Sequence, residues 1–152
     1  WSDVDIERKI LTVRQTVARV KANSNDNCKS KLILDAPKTK NSLREIPINS
    51  FLLPLLVKKK SESVSDFVIS EQKTFVSPRT FEYRYHKTLE RFDIEQVNYH
   101  SLRHTFATRC IERGVDCKSL SEILGHANVN ITLNTYVHSS MELKRIQIEK
   151  LI

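Results

Sequence analysis

The chain has 152 residues, 39% of them apolar, which suits one ordinary domain with a buried core and leaves two unrelated domains a tight fit. Two glycines and four prolines exclude collagen-like and disordered material, no apolar run approaches the roughly 20 residues of a membrane span, and no signal peptide opens the chain. A formal net charge of +7 favours an anionic partner, because a basic face attracts phosphates and releases their counterions on contact; the plainer alternative is a solvated basic surface.

The excess charge is unevenly placed. Residues 1 to 60 hold 13 Lys and Arg against 6 Asp and Glu, whereas residues 61 to 152 hold 12 of each. Three cysteines, Cys28, Cys110 and Cys117, form no close pair; the odd count fits a reducing compartment, with the cytoplasm the default location. The chain opens on Trp1 without a methionine, so a fragment of a longer protein is expected.

From the start of the chain, the β-branched residues between Ile10 and Val20 predict a strand, and Lys29 to Asp35 and Leu43 to Ile48 predict two more. The polar linkers Ala22 to Cys28 and Ala36 to Ser42 make the simplest arrangement a small three-stranded antiparallel sheet. The second linker is then a hairpin tip bearing Lys38 and Lys40. Helical punctuation follows. Phe51 to Lys60 predicts a helix with Pro54 in its first turn, and Asp66 to Ile69 an extended connection. Ser77-Pro78 predicts a capped start for a helix carrying Phe81, Tyr85, Leu89 and Phe92 as core positions through about Asp93.

Leu102, Phe106 and Cys110 recur every four residues in a predicted helix from His100 to Arg113, ended by Gly114. A short helix is expected from Lys118 to Leu124, stopped by Gly125, and another, capped by Asn128 or Asn130, running to about Val137. Met141 to Ile152 predicts an amphipathic helix. The expected fold class is α+β, mostly α, as a single domain over residues 1–152 with one small sheet near its beginning.

Four residues in the second half stand out chemically. His100 and Arg103, three apart, point the same way on a helix; His126 follows Gly125 at a turn; Tyr136 comes ten residues later. An arginine, two histidines and a tyrosine that converge suit phosphoryl transfer: the phenol attacks phosphorus while donors stabilise charge on the non-bridging oxygens. Singly, each has a plainer explanation, a core tyrosine or a loop-capping histidine. No His or Cys set has tight metal-ligand spacing.

Order and local context narrow the choice. His100-Ser101-Leu102-Arg103-His104-Thr105-Phe106-Ala107-Thr108 resembles the tyrosine recombinase box, and Leu124-Gly125-His126-Ala127 with Thr132 and Tyr136-Val137-His138 resembles the family's Leu-Gly-His and nucleophile segments. Pro37-Lys38-Thr39-Lys40, Arg44 and Ile46-Pro47-Ile48 resemble the hairpin that carries the family's lysine, and Trp1 to Asp5 resembles the lead from its first catalytic helix into the sheet. The resemblance to the tyrosine recombinases, or phage integrases, spans the chain.

The resemblance implies that Tyr136 is the nucleophile, forming a 3′-phosphotyrosyl link to DNA and releasing a 5′-hydroxyl that later rejoins the strands. It implies that Arg103 clamps the scissile phosphate, that His100 and His126 supply hydrogen bonds and proton transfer, and that Lys38 is the general acid, with Lys40 a second candidate. DNA contacts are expected from Lys38, Lys40, Arg44 and Arg103. No metal, nucleotide or other cofactor is implied. The implied partner is double-stranded DNA, bound by a tetramer of the full-length protein, with no membrane partner; the chain alone is expected to be a monomer or weak dimer, and Met141 to Ile152 is the candidate for packing on a neighbouring protomer.

Two departures accompany the match. Ser101 stands where the family usually has aspartate, and no arginine precedes Trp1 to fill the family's first arginine position; Arg8 and Arg14 fall on its strand side. The chain alone is therefore expected to be inactive or severely impaired. Three alternatives remain: a non-catalytic DNA-binding module that keeps the fold, a helix-turn-helix factor built from Lys118 to Val137, and a type IB topoisomerase. Against the second, Val129 to Tyr136 holds no Lys or Arg to contact phosphates.

Overall fold

A computed structural model describes residues 1–21, 29–36, 42–70, 72–137, 141–149 and 151, leaving aside the side chains of 142, 143, 146 and 147. The chain divides into two compact units, Trp1–Ser101 and Leu102–Ile152. The fold is α+β and mostly α, as expected, and among the described residues no helix is long and apolar enough to cross a membrane.

The first unit holds strands β1 (Val4–Asp5), β2 (Ile10–Val13), β3 (Thr16–Lys21), β4 (Ser30–Asp35) and β5 (Arg44–Pro47), with helices α1 (Leu52–Glu62) and α2 (Pro78–Arg91). The anticipated strand from Ile10 to Val20 is two strands that part company at Arg14-Gln15. β2 lies between β1 and β5 in an antiparallel three-stranded sheet, with Leu11 opposite both Val4 and Ile46. β3 and β4 form a separate antiparallel ribbon in which Thr16 faces Asp35 and Lys21 faces Ser30.

At the break Arg14 turns its guanidinium to the Asp3 carboxylate, Nε to Oδ1 2.5 Å, and to the Ser2 hydroxyl at 3.0 Å. β4 and β5 pair in different sheets and not with each other, and the hairpin tip anticipated around Lys38 and Lys40 lies outside the described residues. Strand propensity identifies extended segments but does not record a change of partner.

Val4, Ile48 and Leu56 form the buried centre of this unit, flanked by Trp1, Ile6, Leu11, Leu53 and Val68. Trp1 Nε1 donates to Ser63 Oγ at 3.2 Å, fixing the indole beside the end of α1. Just ahead of α1, Asn49 Oδ1 accepts from Leu52 N at 2.8 Å, and Pro54 sits in the first turn where its missing N–H costs nothing. Ser77 caps α2, accepting from Thr80 N at 3.1 Å, with Pro78 at the first helical position. Leu89 is buried and Phe81 and Tyr85 pack edge-on against Tyr99, but Phe92 lies beyond the helix end, 63% exposed beneath the Arg91 guanidinium.

The second unit holds α3 (Ser101–Glu112) from Leu102 onward, α4 (Cys117–Leu124), α5 (Val129–Tyr136) and α6 (Met141–Glu149). Gly114 ends α3 with φ +77°, a left-handed conformation that a side chain would strain. Ala107, Leu120, Leu124 and Tyr136 form the core, with Cys110 and Ile111 packed against it. The buried face of α3 thus runs through Ala107, whereas Leu102 and Phe106, expected to lead it, are about half exposed.

Candidate active site

The second unit assembles its polar groups from the ends of three helices. Asp116 starts α4, its carboxylate accepting from Lys118 N at 3.0 Å and Ser119 N at 2.9 Å. Hydrogen bonds from Ser119 hold that carboxyl below its usual range, as an anion at a helix N-terminus should be. Gly125 ends α4 at φ 73°, ψ 33°, and Gly125 N and His126 N close the turn on the carbonyls of Glu122 and Ser121. Asn128, of the two candidate caps, starts α5 by accepting from Asn130 N at 2.9 Å. The short turn 125–128 is thus pinned at both ends, and His126 projects from it.

His126 Nδ1 lies 2.8 Å from the Thr132 hydroxyl, which has no exposed surface. That bond fixes the ring plane and leaves Nε2 as the imidazole's other polar edge. Arg103, on the first turn of α3, donates from Nη2 to the Leu124 carbonyl at 2.7 Å, the last residue of α4. A guanidinium has five N–H donors in a rigid fork, so one anchoring bond leaves a charged fork suited to a phosphate. Tyr136, the last residue of α5, is 9% exposed, and its ring packs in the Ala107, Leu120 and Leu124 cluster. Its hydroxyl lies 2.9 Å from His104 Nδ1.

Three of the anticipated residues, Arg103, His126 and Tyr136, are therefore tied into one small framework: the Arg103 anchor is Leu124, which packs with Tyr136 and lies two residues before His126. His100 belongs to the first unit and precedes the first turn of α3 instead of lying on it; its backbone N–H is held by Asn98 Oδ1 at 2.8 Å. Ser101 turns its hydroxyl onto the Asn98 carbonyl. An apolar cavity of about 590 Å³ in the first unit is lined by Phe67, Phe75, Phe81, Tyr99 and His100 among others, a setting that disfavours burial of an anion. Arg44 opens β5, half-buried, with Nη1 on the Ser42 carbonyl at 3.2 Å. Lys38, Lys40, Cys28 and His138 lie outside the described residues.

His104 is the residue that reading the sequence missed. It was visible as part of the His-Thr-Phe-Ala run, but nothing in its spacing from Tyr136, 32 residues on, marks the two as partners.

An anchored arginine, a buttressed histidine and a hydrogen-bonded phenol thus share one helical framework. Comparison with known proteins specifies it further. The model of the phage integrase family matches residues 1–142. The chain is 34% identical over 168 residues to a tyrosine recombinase XerC-like protein of Caldanaerobacter subterraneus subsp. tengcongensis, covering 99% of this chain and 43% of that protein. It is 28% identical to the transposase from transposon Tn916 of Enterococcus faecalis, covering 97% of this chain and 40% of the relative. Its fold resembles that of the Tn1549 transposon integrase, solved in complex with a circular intermediate DNA, with a TM-score of 0.77 and 22% identity over 99% of this chain and 51% of that one. The chain belongs to the phage integrase family, and it spans less than half the length of these two sequence relatives.

Proposed function

We propose that this chain supplies the catalytic domain for site-specific DNA recombination, cutting and rejoining strands through a 3′-phosphotyrosyl intermediate on Tyr136. The observation that carries this reading is the joint anchoring of Arg103, His126 and Tyr136 in one unit, by Leu124, Thr132 and His104 respectively. Family membership supports it, as do the recombinase, transposase and integrase names of the relatives.

In this reading the phenol oxygen of Tyr136 attacks the scissile phosphorus and the 5′-oxygen leaves. Arg103 neutralises the charge that grows on the non-bridging oxygens, and His126 and His100 donate hydrogen bonds to the same phosphate. Lys38 protonates the leaving oxygen; Lys40 and Arg44 contact the DNA backbone. The phosphotyrosyl ester conserves the energy of the broken linkage, so the free 5′-hydroxyl rejoins without a cofactor. The substrate is duplex DNA in the bacterial cytoplasm, held by a tetramer, because recombination brings two duplexes together.

The test uses the full-length gene product. Its preferred duplex is selected from a randomised pool, and a nick beside the cleavage position lets the short 5′-hydroxyl fragment escape, trapping the covalent complex on a denaturing gel. Recovery of Tyr136-dependent adduct is the expected result. Retention of the selected duplex with no adduct on any nicked version favours a DNA-binding module without chemistry.

A further inference from the structure

We propose that His104 holds the Tyr136 phenol before attack and takes its proton as the phosphotyrosyl bond forms, a role separate from those of the two histidines at the phosphate. The inference rests on the reading of Tyr136 as the nucleophile.

The geometry comes from three observations. The Tyr136 hydroxyl and His104 Nδ1 are 2.9 Å apart, and the two rings lie 5.7 Å apart between centroids, inclined at 50°. The phenol ring is buried against Ala107, Leu120 and Leu124, so packing restricts its swing and the hydroxyl is presented at the rim of the core. His104 is itself exposed, which lets its imidazole exchange a proton with solvent between steps.

Placement on α3 explains why this residue can serve the nucleophile. His104 directly follows Arg103, and consecutive residues on an α-helix point about 100° apart. Arg103 consequently reaches the end of α4 while His104 reaches the end of α5. One rigid turn thus carries both the phosphate clamp and the group that orients the attacking oxygen, and correct spacing between attacker and phosphate depends on that turn.

The proton inventory closes. A phenol is protonated at neutral pH and must lose its proton as it attacks, and imidazole is the side chain whose proton affinity suits that task. The resting bond has Tyr136 Oη–H donating to Nδ1, with the ring hydrogen on Nε2. As the Oη–P bond forms and the P–O5′ bond breaks, the phenolic proton passes to Nδ1, while the leaving oxygen takes its proton from Lys38. On rejoining, the 5′-hydroxyl returns its proton to Lys38 as it attacks phosphorus, the Oη–P bond breaks and the His104 imidazolium returns a proton to Oη.

The experiment measures adduct formation by the full-length gene product on the selected nicked duplex, with wild type, Y136F, H104A and H104N, alongside gel-shift affinity and thermal midpoint. H104A is expected to slow adduct formation by about 100-fold or more, within the ~10²–10⁴-fold range of general-base contributions, with DNA affinity unchanged. Added imidazole is expected to restore part of the H104A rate and none of the Y136F rate. H104N, of similar size, keeps a polar partner for the phenol but accepts no proton; it is expected to stay slow, and it carries the test if H104A does not fold. Adduct formation at the wild-type rate in either folded variant overturns the proposal, as does a loss in H104A that imidazole leaves untouched. If wild type itself forms no adduct, the recombinase reading falls and this inference with it, whereas an active H104A beside an inactive Y136F removes this inference alone.

Discussion

The hydroxyl of Thr132, fully buried in α5, lies 2.8 Å from Nδ1 of His126, so the helix that ends in Tyr136 also fixes the ring presented by the turn before it. Thr132→Val keeps the shape of the side chain and removes that partner. Adduct formation is expected to slow by roughly 10- to 100-fold, a part of the ~10²–10³-fold that a preorganised donor at the transition state contributes. Thr132→Ser, which restores the hydroxyl, is expected to recover most of it; equal rates in wild type and Thr132→Val would detach His126 from the chemistry.

Arg103 donates to a main-chain carbonyl at 2.7 Å, a contact that a lysine cannot reproduce together with a bidentate phosphate clamp. Arg103→Lys is expected to lose about 10²–10³-fold in cleavage, comparable to loss of a preorganised donor at a transition state. Gel-shift affinity for the same duplex should fall far less than the rate. A matching fall in both would place Arg103 in ground-state binding.

Tyr136 is both a core side chain and the proposed nucleophile, and stability measurements separate the two roles. Tyr136→Phe loses a hydrogen bond and is expected to cost about 0.5–1.5 kcal/mol in denaturant unfolding. Tyr136→Ala empties part of the Ala107, Leu120 and Leu124 cluster and is expected to cost about 3–5 kcal/mol. Both should abolish the adduct, and only the second should shift the unfolding midpoint strongly.

The cap of α4 predicts a pH dependence. Because hydrogen bonds from Ser119 and Lys118 lower the Asp116 carboxyl, its contribution is complete above the ordinary carboxylate range and fades as pH falls through its depressed value. Asp116→Asn keeps a capping oxygen without the charge, so thermal melts of the variant should lose less between neutral and acidic pH than melts of wild type. Parallel curves would contradict the assignment.

Lys38 and Lys40 are separable by the leaving group. A 5′-bridging sulfur departs as a thiolate and needs no proton, so Lys38→Ala is expected to be slow on ordinary DNA and restored on the sulfur-substituted strand. Lys40→Ala should show no such selective rescue. The reverse pattern would move the general acid to Lys40.

Much of the second unit was legible in the sequence because its signals are local. Gly114 and Gly125 mark helix ends, Asn128 supplies a cap side chain, and the tyrosine, arginine and histidine motifs sit at short fixed spacings. Relationships that depend on distant partners were not legible. The strand through Arg14 looks continuous, and only the pairing puts β2 and β3 in different sheets. The buried stripe of α3 passes through small Ala107, while larger Leu102 and Phe106 set the apparent period. The His104 bond to Tyr136 spans 32 residues, and no periodicity encodes it.

The most direct test of the central claim is to locate the covalent bond. The trapped complex, formed by full-length protein on the selected nicked duplex, is digested with nuclease and protease, and the nucleotide-bearing peptide is sequenced by mass spectrometry. A 3′-nucleotide on the oxygen of Tyr136, and none in the Tyr136→Phe protein, is the expected result. A nucleotide on any other side chain, or an adduct that survives Tyr136→Phe, would contradict it.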